Sequence, residues 1–281
     1  MKLENIADAA TFLWLVAVML QIGLSVSPDR VIASARQTGL VLRGFFINFL
    51  IVPLMGFGLL LLCNTQSIVA TGFLIGVVFS GASLAPPLTQ LAKGDVPFSI
   101  GLMILLAAAS PIVSPMVLTF LLGHLSGGED LQVNFLQILR VIVTGQIIPL
   151  ALGLAGNRYL PSFAGKTVRL LRPFNNILVV IVLILVVICQ IDAFRIFGLK
   201  AYGAMTAMFL LSIAAAWWTA GPDRSRKKAM TLNTTVRNVP AAMVIASGNF
   251  AGTAALAGVF IYSLFATAGT LLLAYLFGRI R

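Results

Sequence analysis

Nine times along this chain, a stretch long enough to cross a bilayer passes with at most one charged residue in it. About 20 mostly apolar residues span the hydrocarbon core as a helix. The runs fall at 9–27, 40–63, 67–92, 97–123, 133–156, 173–194, 200–219, 229–249 and 252–278. A soluble domain needs a polar surface and carries about 25% charged residues, whereas this chain is 59% hydrophobic and 10% charged. The period-2 alternation of a membrane β-barrel is missing. The expected fold is therefore an all-α polytopic membrane protein of about nine transmembrane helices. Short connections predict a single transmembrane domain over 1–281. The first run has no basic flank and no small-residue cleavage site, so it reads as a retained span.

The net charge of +11 raises nucleic acid as a partner, but such a partner needs the charge gathered on one polar face. Here it lies in the gaps between runs. Alternate gaps hold Arg30, Arg36 and Arg43; Lys93; Arg158, Lys166, Arg169 and Arg172; and Arg224, Arg226, Lys227 and Lys228. With Arg279 and Arg281 that side has fourteen of the nineteen basic residues, against Lys2, Arg195 and Lys200 opposite. The positive-inside rule then places the N-terminus outside and the C-terminus in the cytoplasm of a cell (plasma or inner) membrane, with an odd number of spans. The expected surroundings are lipid, and nucleic acid is not an expected partner.

Two runs are interrupted. The third carries Gly81, Ser83, Pro86, Pro87, Thr89 and Gln90, and the eighth carries Thr231, Asn233, Thr234, Thr235, Arg237, Asn238 and Pro240. Proline removes backbone donors, and freed backbone groups are not tolerated facing lipid. Both interruptions are expected to face protein or a water-filled cavity, with two ordinary proline kinks as the alternative. The second to fourth runs and the seventh to ninth form matching triplets that start on opposite sides. Paired discontinuous helices in inverted repeats point to the central site of a secondary transporter.

All eight acids, Glu4, Asp8, Asp29, Asp95, Glu129, Asp130, Asp192 and Asp223, fall in termini, loops or span ends. The lone His124 ends the fourth run. A proton relay of intramembrane acids is therefore not expected. Cys63 and Cys189 lack metal spacing and read as small hydrophobes in helices. No catalytic motif is present, so neither an enzyme nor a bound cofactor is expected. Arg237 is the sharpest clue, because arginine at mid-membrane costs about 2.5–3.5 kcal/mol on insertion scales and usually marks function. It can bind an anion, act as a built-in cation, or tie down carbonyls freed at the break. Arg140, nearer a span end, is placed to snorkel. Gln146, Asn233, Thr234, Thr235 and Asn238 are candidate cavity polar groups.

The stretch Val18 to Pro28, the helix around Asn48 and Pro53, the segment Gln90 to Ser99 running on to Ser110-Pro111 and Ser114-Pro115, and the eighth run ending at Asn238 together resemble the bile acid:sodium symporter family. The resemblance implies a core of about 40–123 and 200–281, a panel of about 9–27 and 133–194, and two discontinuous helices crossing at the bilayer midplane. It also implies small organic anions, bile salts among them, moved with sodium. At the ion sites the chain departs from the pattern. The family's sodium-binding glutamate falls on Asn233, a glutamine on Arg237, a serine–asparagine pair on Ala85 and Pro86, and a threonine on Met103. Ser99 keeps a hydroxyl and Asn48 replaces an amide. Asn48, Ser99 and Asn233 are thus the remnant sodium site. Arg237, Asn238, Asn233, Thr234, Pro86, Ala85 and Gln146 are the candidate substrate-binding residues. The expected function is a secondary transporter or facilitator of a small organic anion, a bile-acid-like or carboxylate/sulfonate solute, working by alternating access. Sodium dependence is expected to be weak or absent. A sodium-coupled symporter with an altered ion site and a non-transporting receptor on the same fold are the alternatives.

Overall fold

The computed structural model describes residues 3–26, 38–63, 67–125, 135–194, 198–250, 253 and 255–279. Among these the protein is helical throughout, with no strands. In chain order the helices are α1 (Leu3–Ser25), α2 (Thr38–Phe46), α3 (Val52–Cys63), α4 (Ser67–Val78), α5 (Ala85–Leu91), α6 (Val96–Leu125), α7 (Phe135–Ile142), α8 (Ile148–Tyr159), α9 (Pro161–Phe194), α10 (Leu199–Thr219), α11 (Arg224–Thr235), α12 (Val239–Asn249) and α13 (Ala255–Arg279). Seven helical stretches among the described residues are long and apolar enough to cross a membrane, α2–α3 and α7–α8 each counting as one. Only 22% of the apolar window of α9 is buried by protein, and Leu62 and Trp218 stand exposed. Lipid is the solvent such a surface requires, and the protein is a multi-pass membrane protein.

Helices α2 and α3 join through a π-helical turn, Ile47–Ile51, and α7 and α8 through another, Val143–Ile147. Each precedes a proline, Pro53 or Pro149, whose missing N–H leaves the carbonyl four residues earlier without its helical partner. The backbone widens instead, with Val52 N–H donating to Ile47 O and Ile148 N–H to Val143 O. Such bulges often sit at functional positions. Each of these buries one amide side chain, Asn48 or Gln146.

Small residues set the closest helix crossings, as is usual where lipid supplies no hydrophobic drive between helices. Helix α1 lies along α8 and α9. There Gly23 faces Gly153, and a Cβ on either would run into the other's backbone. Helix α4 lies along α13, where Gly72 meets Ala255 and Gly258. Helix α10 packs on α3 and α11. These two sets of helices touch through α12, which meets α1 and α7, through α13, which meets α9, and through α6, which meets α7 and the turn Val143–Ile147.

Two sequence expectations need correction. The sixth run was expected to begin near 173, yet α9 starts at Pro161 and carries Pro173 within it. Burial of Ala164 and Val168 against Leu24 of α1 holds those first turns helical, leaving Lys166, Arg169 and Arg172 exposed on them. The tandem proline was expected to interrupt the third run. The interruption instead covers 79–84, and Pro86 and Pro87 lie in the first turn of α5. Proline is tolerated there because first-turn N–H groups have no intrahelical acceptor. Pro240 occupies the same position in α12.

Candidate functional site

The two interruptions meet. The backbone N–H of Asn238 donates to Phe79 O at 3.0 Å, joining the gap between α11 and α12 to the gap between α4 and α5. The other freed carbonyl, Val78 O, accepts from Ser114 Oγ on α6 at 3.1 Å, and Ser114 is held by Ser110 at 2.9 Å. The Ser-Pro pairs of α6 thus supply acceptor relief for a helix that ends inside the protein, as buried backbone groups demand. Gly81 closes the first gap with φ +85°, its α-carbon pressed against the backbone of Ala107. In the second gap the Asn238 side chain accepts from Ala241 N at 3.4 Å as the N-cap of α12. That cap turns its Nδ2 away from the helix, and the nitrogen is buried without a partner.

Arg237, immediately before this cap, is 2% exposed. Its Nη1 donates to Asn48 Oδ1 at 3.2 Å. Asn48 is itself fixed by donating Nδ2 to Gly44 O at 2.9 Å and to Thr234 Oγ1 at 3.2 Å. The buried Tyr262 hydroxyl of α13 is close enough to interact with the same guanidinium. Nε and Nη2 make no hydrogen bond, and among the described residues no carboxylate pairs with the group. Those two nitrogens form the side-on edge of the guanidinium, the fork that matches a carboxylate or sulfonate in a bidentate contact.

Arg237 is also among the residues lining a cavity of about 760 Å³. Arg237, Asn238, Ala82, Pro86, Met103 and Ser263 line it on the side of the two gaps, and Trp14, Val18, Gln21, Arg172, Asn175 and Asn176 line it from α1 and α9. Ser263 Oγ is buried and also lacks a partner. The unpartnered polar atoms of these lining residues are thus donors or hydroxyls. Among the described residues no Asp or Glu belongs to the lining.

The expected site residues divide between two layers. Arg237, Asn238 and Pro86 line the cavity. Asn233, Thr234 and Ala85 are buried behind the gaps instead. Ala85 packs on Ala82 and Val236, because its place in the first turn of α5 faces the second gap. Gln146 is buried with both side-chain heteroatoms unpartnered, on a turn packed against α1 and α6 and away from the cavity. The remnant ion residues do come together. Asn233 Nδ2 donates to Ser99 Oγ at 2.7 Å, and Thr89 Oγ1 donates to the same oxygen at 2.9 Å. Donors thus occupy Ser99 Oγ, and Arg237 occupies the amide oxygen of Asn48, while Asn233 Oδ1 is buried without a partner. Among the described residues no group of three or more His, Cys, Asp or Glu could hold a metal. Arg140 is exposed, as snorkelling predicts, and His124 is exposed on Phe120 O.

Sequence reasoning missed Gln21, Arg172, Asn175 and Asn176 as lining residues. Asn175 Nδ2 donates to Gln21 Oε1 at 2.7 Å, linking α9 to α1. The signal was available, since two consecutive amides open an otherwise apolar run.

The family profile described as Sodium Bile acid symporter family matches residues 12–196. The chain is 29% identical over 177 residues to the "Probable sodium/metabolite cotransporter BASS3, chloroplastic" of Oryza sativa subsp. japonica, covering 60% of this chain and 40% of that protein. The protein of that name in Arabidopsis thaliana is 28% identical over 159 residues, 56% of this chain and 34% of its own length. The "Uncharacterized sodium-dependent transporter YocS" of Bacillus subtilis (strain 168) is 22% identical over 171 residues, 61% of this chain and 51% of its own. The chain thus spans about half or less of the length of these relatives. The profile match ends before the second gap, so Arg237 lies beyond it. It nevertheless runs from α1 to the end of α9, well over half of the sequence, and the chain belongs to the sodium bile acid symporter family.

Proposed function

We propose that this chain is a secondary transporter or facilitator that moves a small organic anion by alternating access, with sodium dependence weak or absent. One observation carries the reading: a fully buried arginine at the meeting of two broken helices, with Nε and Nη2 unpaired, is among the residues lining a cavity to which no acid among the described residues belongs. Binding an anion there gives the buried guanidinium the counter-charge it lacks. In this reading the broken pairs α4–α5 and α11–α12 each count as one crossing, making nine spans with the N-terminus outside. The core, 40–123 and 200–281, rocks against the panel, 9–27 and 133–194, around the crossing. The cavity mouth is then cytoplasmic, because exposed Arg172 and Gln90 line it on the basic side. The printed names of the relatives, cotransporters and a transporter, support transport as the activity.

A second reading, a sodium-coupled symporter with an altered ion site, is favoured by those same names and by the cluster of Thr89, Ser99 and Asn233. Against it stand the missing acid and the guanidinium on Asn48 Oδ1, which repels a second cation. Uptake of a labelled organic anion into vesicles containing the purified chain, with sodium or choline outside, separates the two. Equal uptake in both supports the uncoupled reading, and strong sodium stimulation ends it. The paired change Asn233→Glu with Arg237→Gln should raise sodium sensitivity.

A further inference from the structure

The cavity has two cationic ends and, among the described residues, no acid. Arg237 and Asn238 sit at its deep end, on the second gap, while Arg172 sits at its exposed end, on the first turns of α9. Between the ends the walls are apolar, with Ile22 from α1, Ile100 from α6, Val179 and Leu183 from α9, and Leu264 from α13. Along α9 the change from polar to apolar is progressive. Arg172, Asn175 and Asn176 come first, then Val179 and Leu183, so about 16 Å of helix rise separates Arg172 from Leu183. A ligand filling this space meets a cation, an apolar belt and a second cation in turn.

Resting on the anion-transport reading above, we infer that the cargo is an elongated dianion. One acidic group lies on the free edge of Arg237 with Asn238, the other on Arg172, and an apolar chain joins them. Charge balance is the argument. Alternating access must at some stage close the cavity over its cargo and remove water from both guanidinium groups. A monoanion leaves one positive charge to be buried alone, which is costly in a low-dielectric interior. A dianion cancels both and matches each with a charge-assisted contact. The two arginines also belong to different sets of helices, Arg172 on α9, which lies along α1, and Arg237 just past the end of α11, which packs on α10. A ligand held at both ends therefore bridges the parts that must move against each other.

The test titrates the purified full-length chain with adipate, suberate and sebacate and with the monomethyl ester of each, which keeps the length and removes one charge. Binding is read by calorimetry and thermal shift at constant ionic strength. For at least one length the diacid should bind about tenfold tighter than its ester, the scale of one added charge-assisted contact. Arg172→Gln should bring that ratio close to one, and Arg172→Lys should keep most of it. Arg172 is exposed, so its variants fold, and a single elution peak checks this. Equal affinity for diacid and ester at every length, or a preference that survives Arg172→Gln, overturns the dianion while anion binding at Arg237 stands. No binding of either series overturns both.

Discussion

The two gaps at the centre of this protein solve one physical problem in opposite ways. Each ends a helix inside the membrane and frees backbone groups that water cannot reach. In the first gap the carbonyls of Val78 and Phe79 are satisfied, and a single side-chain atom, Ser80 Oγ, is buried without a partner. Ser114 takes the carbonyl of Val78, the N–H of Asn238 takes that of Phe79, and Gly81 supplies the left-handed turn. The second gap satisfies its backbone and then adds more donors than it uses, leaving Arg237 Nε and Nη2 and Asn238 Nδ2 buried and unpartnered. Buried polar groups are rarely left so. An unmet donor beside a cavity is a site waiting for a ligand, whereas a met one is structure. In the proposed function the first gap is structural and the second binds the anion.

The largest expected effect breaks the second gap. Arg237→Met removes the guanidinium at nearly constant volume. It should weaken organic-anion binding about 100-fold or more, as truncating one partner of a buried charge pair costs about 2–5 kcal/mol. Without anion the same variant should be more thermostable than the parent, because an uncompensated buried charge has been replaced by an apolar group. Thermal unfolding with and without the anion measures both. A variant that is less stable and still binds would make Arg237 a structural tie and cancel the contrast.

Next in size is the turn of the first gap. Gly81→Ala places a side chain at φ +85° and against the backbone of Ala107. It should cost about 2 kcal/mol or more, the sum of left-handed strain and a contact that cannot relax. Gly221 has almost the same φ, +83°, with open space around it. Gly221→Ala therefore reports the conformational part alone, about 1 kcal/mol. If both variants lose equal stability in detergent unfolding, the tight seat of Gly81 contributes nothing.

Much of the fold was legible in the sequence because the bilayer imposes length and polarity together. The runs 9–27, 40–63, 97–123 and 200–219 lie within or close to the helices found there. The start of α9 was not legible, since basic residues and Pro173 read as a loop until Ala164 and Val168 are seen packed on α1. Both broken helices were legible from the coincidence of polar residues with proline. The place of the first break was not, because Pro86 and Pro87 mark where a helix begins rather than where one ends. At the site, Arg237 announced itself by its cost in a membrane. The partition of Asn238 into the cavity and of Asn233 and Thr234 behind it is set by the cap of α12, which spacing alone does not reveal. Gln146 shows the converse, as a polar residue in an apolar run whose place proves to be a π-helical turn remote from the cavity.

The smallest effect tests whether the first gap is capped as firmly as its geometry implies. Ser114 donates to Val78 O and is held by Ser110, which reaches the gap only through it. Ser114→Ala leaves a buried carbonyl without a partner and should cost about 1 kcal/mol. Ser110→Ala should cost less, and the double variant no more than Ser114→Ala, because removing the inner hydroxyl leaves the outer one nothing to orient. Anion affinity should be unchanged in all three, since neither serine lines the cavity. Additive losses would mean that each hydroxyl has its own partner. A loss of affinity would mean that the first gap takes part in binding, and that the division of labour between the two gaps is less complete than their hydrogen bonds indicate.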